Sequence, residues 1–122
     1  MIPFDLENMP QQEIRGVSII ANTVEAPFGA YLVAAASVYG TGTHDVAVRG
    51  NRVIGKWLGV ALDNNAHSDW AVTGNTSDTP AGNQLVVLRG SVQNFAFRSN
   101  VQPFNPLGAG LVLYLDSVGC VG

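Results

Sequence analysis

Charge is what this chain has least of. Only 12% of its 122 residues are Asp, Glu, Lys or Arg, about half the usual share of a soluble domain. A single lysine is present, Lys56, and the six basic residues are scattered along the chain without a dense run. Net charge is −3. Nucleic-acid binding needs a basic stripe, so that class of partner is set aside. One cysteine, Cys120, excludes an intrachain disulfide and a cysteine zinc cluster. No apolar run approaches the length of a membrane span, so no membrane partner is expected. The start, Met-Ile-Pro-Phe-Asp-Leu-Glu, has neither the basic nor the apolar region of a secretory signal. The expectation is a protein made soluble in the cytosol. Segments with the charged face of an amphipathic helix are also missing.

What is there is apolar and glycine-punctuated. Hydrophobic residues make up 47% of the chain, and fourteen glycines mark most of its joints. The length suits one domain with a modest core. The run Gln84 to Val92 is aliphatic, β-branched and too short for a typical helix, which predicts a buried strand. Val17 to Val24, Val46 to Gly50, Lys56 to Leu62, Phe95 to Arg98 and Leu111 to Asp116 read the same way. Gly59, inside one of them, suggests a bulge or a close backbone approach. Ala30 to Tyr39 stays open between a strand and a short buried helix, because its alanines favour helix and its Tyr and Val favour strand. Many short strands joined by Gly-rich turns predict an all-β fold, a small barrel or sandwich. Val46-Ala-Val-Arg-Gly echoes Val86-Val-Leu-Arg-Gly, but a plain strand and turn explains both without a duplication.

Residues 1–16 are expected to form an extended arm on a single β domain at 17–122. Pro3, Pro10 and Gly16 punctuate the arm, and Ile2, Phe4, Leu6, Met9 and Ile14 are its apolar anchors. The alternation of Ile2, Phe4 and Leu6 gives an extended segment one adhesive face. Two readings stand: a first edge strand, or an arm that docks on a neighbouring molecule. The low charge of the whole chain favours a surface covered by other subunits, since interface cores are depleted in charge.

Candidate chemistry is sparse. His67, Ser68 and Asp69 are the residue types of a nucleophilic triad, but triad members come from separate segments. Asp63, Asn64, Asn65, His67 and Asp69 offer oxygens and a nitrogen to a cation without the spacing of a calcium loop; turn chemistry explains such clusters better. Gly40-Thr-Gly-Thr-His-Asp45 reads as a loop and lacks the third glycine and helix of a dinucleotide site. Asn75-Thr76-Ser77 matches a glycosylation acceptor. The polar stretch 63–83 reads as a long loop, split at most by a short strand at Trp70 to Thr73. Trp57 and Trp70 are the candidates for stacking on a sugar, against a structural role in core or interface. Trp70, Pro103 and Phe104 are the candidate surface-loop contacts. No catalytic residue, metal ligand or cofactor site is assigned, and no enzyme activity is expected.

Trp57-Leu-Gly-Val-Ala-Leu, a polar interval, Gln84-Leu-Val-Val-Leu-Arg-Gly-Ser-Val, a loop, and Gly108-Ala-Gly-Leu-Val-Leu-Tyr-Leu-Asp-Ser-Val-Gly follow one another in a suggestive order. In that order residues 53–122 resemble the small capsid decoration, or cement, proteins of tailed bacteriophages. The resemblance implies a β-tulip-like barrel or sandwich that assembles as a homotrimer on the outer capsid surface. It also implies the major capsid protein as partner, the virion as location, and an N-terminal segment that adds to the capsid or to a neighbour. The alternatives are a tail, baseplate or head-fibre component, and a carbohydrate-binding β module.

Overall fold

The computed structural model describes residues 4–6, 12–25, 32–36, 42–54, 59–63, 66–78, 84–89, 91–101 and 111–116. Every regular element among them is a strand: β1 (Phe4–Leu6), β2 (Glu13–Ile20), β3 (Thr23–Glu25), β4 (Val33–Ala36), β5 (Gly42–Arg49), β6 (Arg52–Ile54), β7 (Gly59–Asp63), β8 (Ala66–Thr73), β9 (Thr76–Ser77), β10 (Gln84–Arg89), β11 (Ser91–Arg98) and β12 (Leu111–Asp116). The all-β expectation holds.

The pairing is the informative part. Every pairing between these strands is parallel. The strands lie in three sheets, ordered β1-β4-β7-β10-β12, β11-β8-β5-β2 and β3-β6-β9. The chain therefore visits the five-stranded, four-stranded and three-stranded sheets in turn and then returns one strand further along. Each circuit is one coil. Parallel neighbours need a long crossover, and here the crossover is the rest of the coil. The first coil is β1–β3, the second β4–β6 and the third β7–β9. The fourth holds β10, β11 and a parallel bridge from Val101 to Thr76, and β12 opens a fifth. This is a solenoid, in which each repeat meets only its neighbours. Among the described residues no sheet closes on itself, and the strands form stacked coils where a barrel or sandwich was the finer expectation.

Four segments show why the chain stacks. Val17-Ser-Ile-Ile-Ala-Asn22, Val46-Ala-Val-Arg-Gly-Asn51, Trp70-Ala-Val-Thr-Gly-Asn75 and Phe95-Ala-Phe-Arg-Ser-Asn100 lie in register in the four-stranded sheet and the turn after it. Their asparagines are 29, 24 and 25 residues apart. Before each asparagine the backbone is left-handed, at Ala21, Gly50, Gly74 and Ser99. That turns the chain sharply from one sheet to the next, a conformation glycine adopts without steric cost. A second left-handed residue sits inside each long strand, at Gly16, Asp45, Asp69 and Asn94. These residues drop out of the register on both sides, as bulges do. The bulge resets the inside–outside alternation, so Thr43 and Val46, like His67 and Trp70, are three residues apart and both buried.

The inward rows form that core. Val46, Val48, Trp70, Val72 and Val53 are fully buried together with Val33, Val60 and Leu62. The described residues of the expected long loop at 63–83 are thus largely strand, with β8 and β9 among them. Asp45 and Gly42, expected in a loop, belong to β5. A side chain at Gly42 would place its Cβ 1.5 Å from the carbonyl oxygen of Ala66, so the second and third coils touch backbone to backbone there. Within the ambiguous Ala30 to Tyr39, Val33–Ala36 is strand. The single buried strand expected at 84–92 is divided between β10 and β11, which belong to different sheets. The Val46 and Val86 echoes likewise fall in different sheets and do not stack. The boundary expected between arm and domain falls within β2, and Phe4–Leu6 pairs in parallel with Val33–Ala35 of the chain's own sheet.

Candidate functional site

Two features outside the core are organised enough to be functional: a polar ledge on the four-stranded sheet, and the open edge of the first coil.

The ledge begins with the register. Arg15, His44, Ser68 and Gln93 occupy one row across β2, β5, β8 and β11, spaced by the strand separation of about 4.8 Å. Arg15 donates to both carboxylate oxygens of Glu13, at 3.1 and 3.4 Å. Glu13 Oε2 lies 3.6 Å from His44 Nε2, a contact that is an ion pair when the imidazole carries both protons. His44 Nδ1 and Ser68 Oγ are 2.9 Å apart. Ser68 donates to Asp69 Oδ2 at 2.8 Å, and Asn94 Nδ2 donates to Asp69 Oδ1 at 2.9 Å. A chain of polar contacts thus ties all four strands together on their outer face. The Arg15 guanidinium, by hydrogen bond and by charge, holds the Glu13 carboxyl below its ordinary range, with a smaller contribution from His44. The hydrogen bonds from Asn94 and Ser68 do the same for Asp69. Glu13 in turn raises the pKa of Arg15.

The adjacent trio His67, Ser68 and Asp69 does not assemble. His67 points inward and is buried, while Ser68 and Asp69 stand outside. His67 Nδ1 meets Thr43 Oγ1 at 2.8 Å and accepts from the Thr43 N–H at 3.3 Å. Trp70 donates its indole N–H to the same Thr43 oxygen at 2.9 Å. Trp70 is 1% exposed, which corrects its expected role as a surface contact or sugar platform. Its apolar bulk belongs in the core, and Thr43 supplies the buried partner its N–H requires. The imidazole nearest Ser68 is instead His44, from the preceding coil. With the Ser68 proton donated to Asp69, the pair is arranged as structural hydrogen bonding rather than as a nucleophile and its base. Among the described residues no group of three or more His, Cys, Asp or Glu side chains is placed to hold a metal ion. Asn75, the potential glycosylation acceptor, is fully buried and its amide is taken by the ladder described next.

The asparagines were missed from the sequence as functional or structural residues. Asn51 Oδ1 accepts from Asn22 N and Nδ2 at 2.9 and 3.0 Å. Asn75 Oδ1 accepts from Asn51 N and Nδ2, both at 2.9 Å. Asn100 Oδ1 accepts from Asn75 N and Nδ2 at 3.0 and 2.9 Å. Each amide also donates back to the preceding coil: Asn51 to Ile19 O at 2.8 Å, Asn75 to Val48 O at 3.0 Å and Asn100 to Val72 O at 2.9 Å. Donors and acceptors of the buried members are filled, as burial demands. Among the described residues no strand lies before β2 in its sheet, and Asn22 donates to Ile20 O of its own coil, at 3.3 Å.

That break marks the open edge. β1, β2 and β3 are each the last strand of a sheet, and the core beneath them is incompletely covered. Phe4, Leu6, Val17 and Val24 are only partly buried, whereas their counterparts one coil on are closed. Ile20 is 50% exposed. Of the expected arm anchors, Phe4 and Leu6 pack against the chain's own core, and Ile14 is half-buried on β2. Ile2, Met9, Pro103 and Phe104, like Trp57, lie outside the described residues. No protein family, no curated protein and no solved structure matches this chain.

Proposed function

We propose that this chain is a structural, protein-binding component of a viral particle. In its specific form it is a decoration protein that binds the outer surface of a tailed-phage capsid as a homotrimer and reinforces contacts between major capsid protein subunits. The observation that carries the protein-binding part is the open edge of the first coil: three terminal strands over a partly uncovered apolar row, where the Asn22 amide lacks the contacts its counterparts make. Free edges recruit strands, and apolar burial there contributes about 1.5–3 kcal/mol per side chain. The low charge of the chain agrees with a surface made for other proteins. The capsid part rests on the order of segments in residues 53–122. On a lattice, many copies multiply a modest contact through avidity.

The test is occupancy. Purified protein mixed with undecorated capsids should co-sediment with them and raise the temperature at which they rupture. A protein that stays monomeric and leaves capsids bare contradicts the reading. The second reading, a tail or fibre component, draws on the stacking of coils along one axis, which suits an elongated part. Immuno-labelling of intact particles separates the two, since signal on the tail excludes decoration. With Trp70 in the core, the carbohydrate module has lost one of its two proposed stacking residues.

A further inference from the structure

We infer that the outer edge of β2 is an acceptor for a single parallel strand from a partner protein, with an amide side chain opposite Asn22. The inference deepens the proposed function, on which it depends for the partner's identity though not for the site.

The chemistry of the acceptor is read from the coils themselves. In each deeper coil the asparagine Oδ1 takes two N–H groups from the coil before it, and its Nδ2 gives one hydrogen bond to that coil's backbone. Asn22 has neither, and its Nδ2 turns to Ile20 of its own coil. A strand in the position before β2 restores both contacts if it ends in an asparagine at that level. The apolar side chains half-exposed on this coil, Val17 above all, require apolar residues in the matching inward rows. Gly16 and Ala21 are left-handed and call for left-handed residues beside them. The partner strand thus has the pattern of this chain's own repeat: an interrupted alternation, then a small residue, then asparagine.

A second copy stacked head to tail does not fit. The four-stranded sheet ends at β11, but the five-stranded sheet runs one strand further, to β12. Bringing a second first coil against β11 puts its β1 where β12 already lies. A lone strand has no such conflict on β2, the eight-residue edge. The direction of docking also differs from that expected of an N-terminal arm. The segment Phe4–Leu6 is held in the chain's own sheet, so this end receives a strand instead of lending one.

Two arms of one experiment test this. In the first, hydrogen exchange is compared for free and capsid-bound protein. The outward-facing amides within residues 13–20 should slow on the capsid by about tenfold or more, the equivalent of one net hydrogen bond each. Bound protein with unchanged exchange in β2 overturns the docking site and leaves the capsid function standing. Failure to bind capsids overturns the function instead, and the second arm then decides the site. That arm uses a synthetic peptide, Ala66 to Asn75 of this chain, which already occupies the equivalent place before β11. It should protect β2. Its Asn75→Ala form should bind about tenfold more weakly, and Asn22→Leu protein should bind it less without losing its thermal transition. No protection by the peptide overturns the proposal. Protection of β2 that grows with protein concentration alone, in step with dimerisation, overturns the foreign strand in favour of a second copy.

Discussion

The second and third coils and the first coil are built from the same repeat, yet only the inner ones are finished. Asn51 and Asn75 sit in a filled ladder, and the valines around them are closed. Asn22 keeps the downward half of the same bonds and has lost the upward half. In a solenoid stability is a sum of neighbour terms, so a terminal coil misses half of them. Identical chemistry thus gives a filled ladder in the middle and unmade contacts at the end. Position in the stack, rather than residue type, makes that difference.

The comparison can be broken most severely from the inside. Gly42→Val should prevent the native stack from forming, because its Cβ has no room against Ala66 and the left-handed backbone is strained for any side chain. Thermal unfolding followed by circular dichroism should show no cooperative transition. Asn75→Ala comes next, with an expected loss of about 2–4 kcal/mol, because it strands the buried donors and acceptors of two neighbouring coils. Thr43→Val should cost about 1–3 kcal/mol by leaving Trp70 and His67 without their shared oxygen; indole fluorescence should report the change. Asn22→Ala should cost about 1 kcal/mol or less, since solvent reaches that amide. Equal losses at Asn22 and Asn75 in urea titrations would erase the contrast between end and interior.

The ledge supplies the smallest effect. Glu13 and Asp69 have carboxyls held below their ordinary range in the folded chain. A depressed folded pKa contributes stability above the unfolded pKa, and that contribution is lost as pH falls through the folded one. Stability should therefore decline in the acid carboxylate range, and Asp69→Asn with Glu13→Gln should flatten the decline. Both groups are exposed, so the effect is small and should shrink further in high salt. A pH series of chemical melts checks it.

Much of the secondary structure was legible in the sequence, and little of its arrangement was. β-branched runs such as 46–48 and 84–88 announced strands because burial selects those residues. Parallel stacking was hidden because its signal is thin. The coils share only an apolar alternation, a left-handed residue and an asparagine, at spacings that vary from 24 to 29. Asp45 and Asp69 look like loop residues, and their bulges sit inside strands. Trp70 stands in the polar stretch 63–83, yet alternation along β8 sends it inward with Val72. The signal that was available is the recurrence of Arg-Gly-Asn51, Thr-Gly-Asn75 and Arg-Ser-Asn100 after an apolar strand.

Native-state hydrogen exchange of the free protein tests the central claim most directly. Amides of β5 and β8, flanked on both sides, should exchange only through unfolding of the whole stack. Those of β2 that face outward should exchange far faster, in alternation with slow neighbours bonded to β5. Uniform protection along β2, equal to that of β5 and β8, would contradict an open first coil and with it the docking edge.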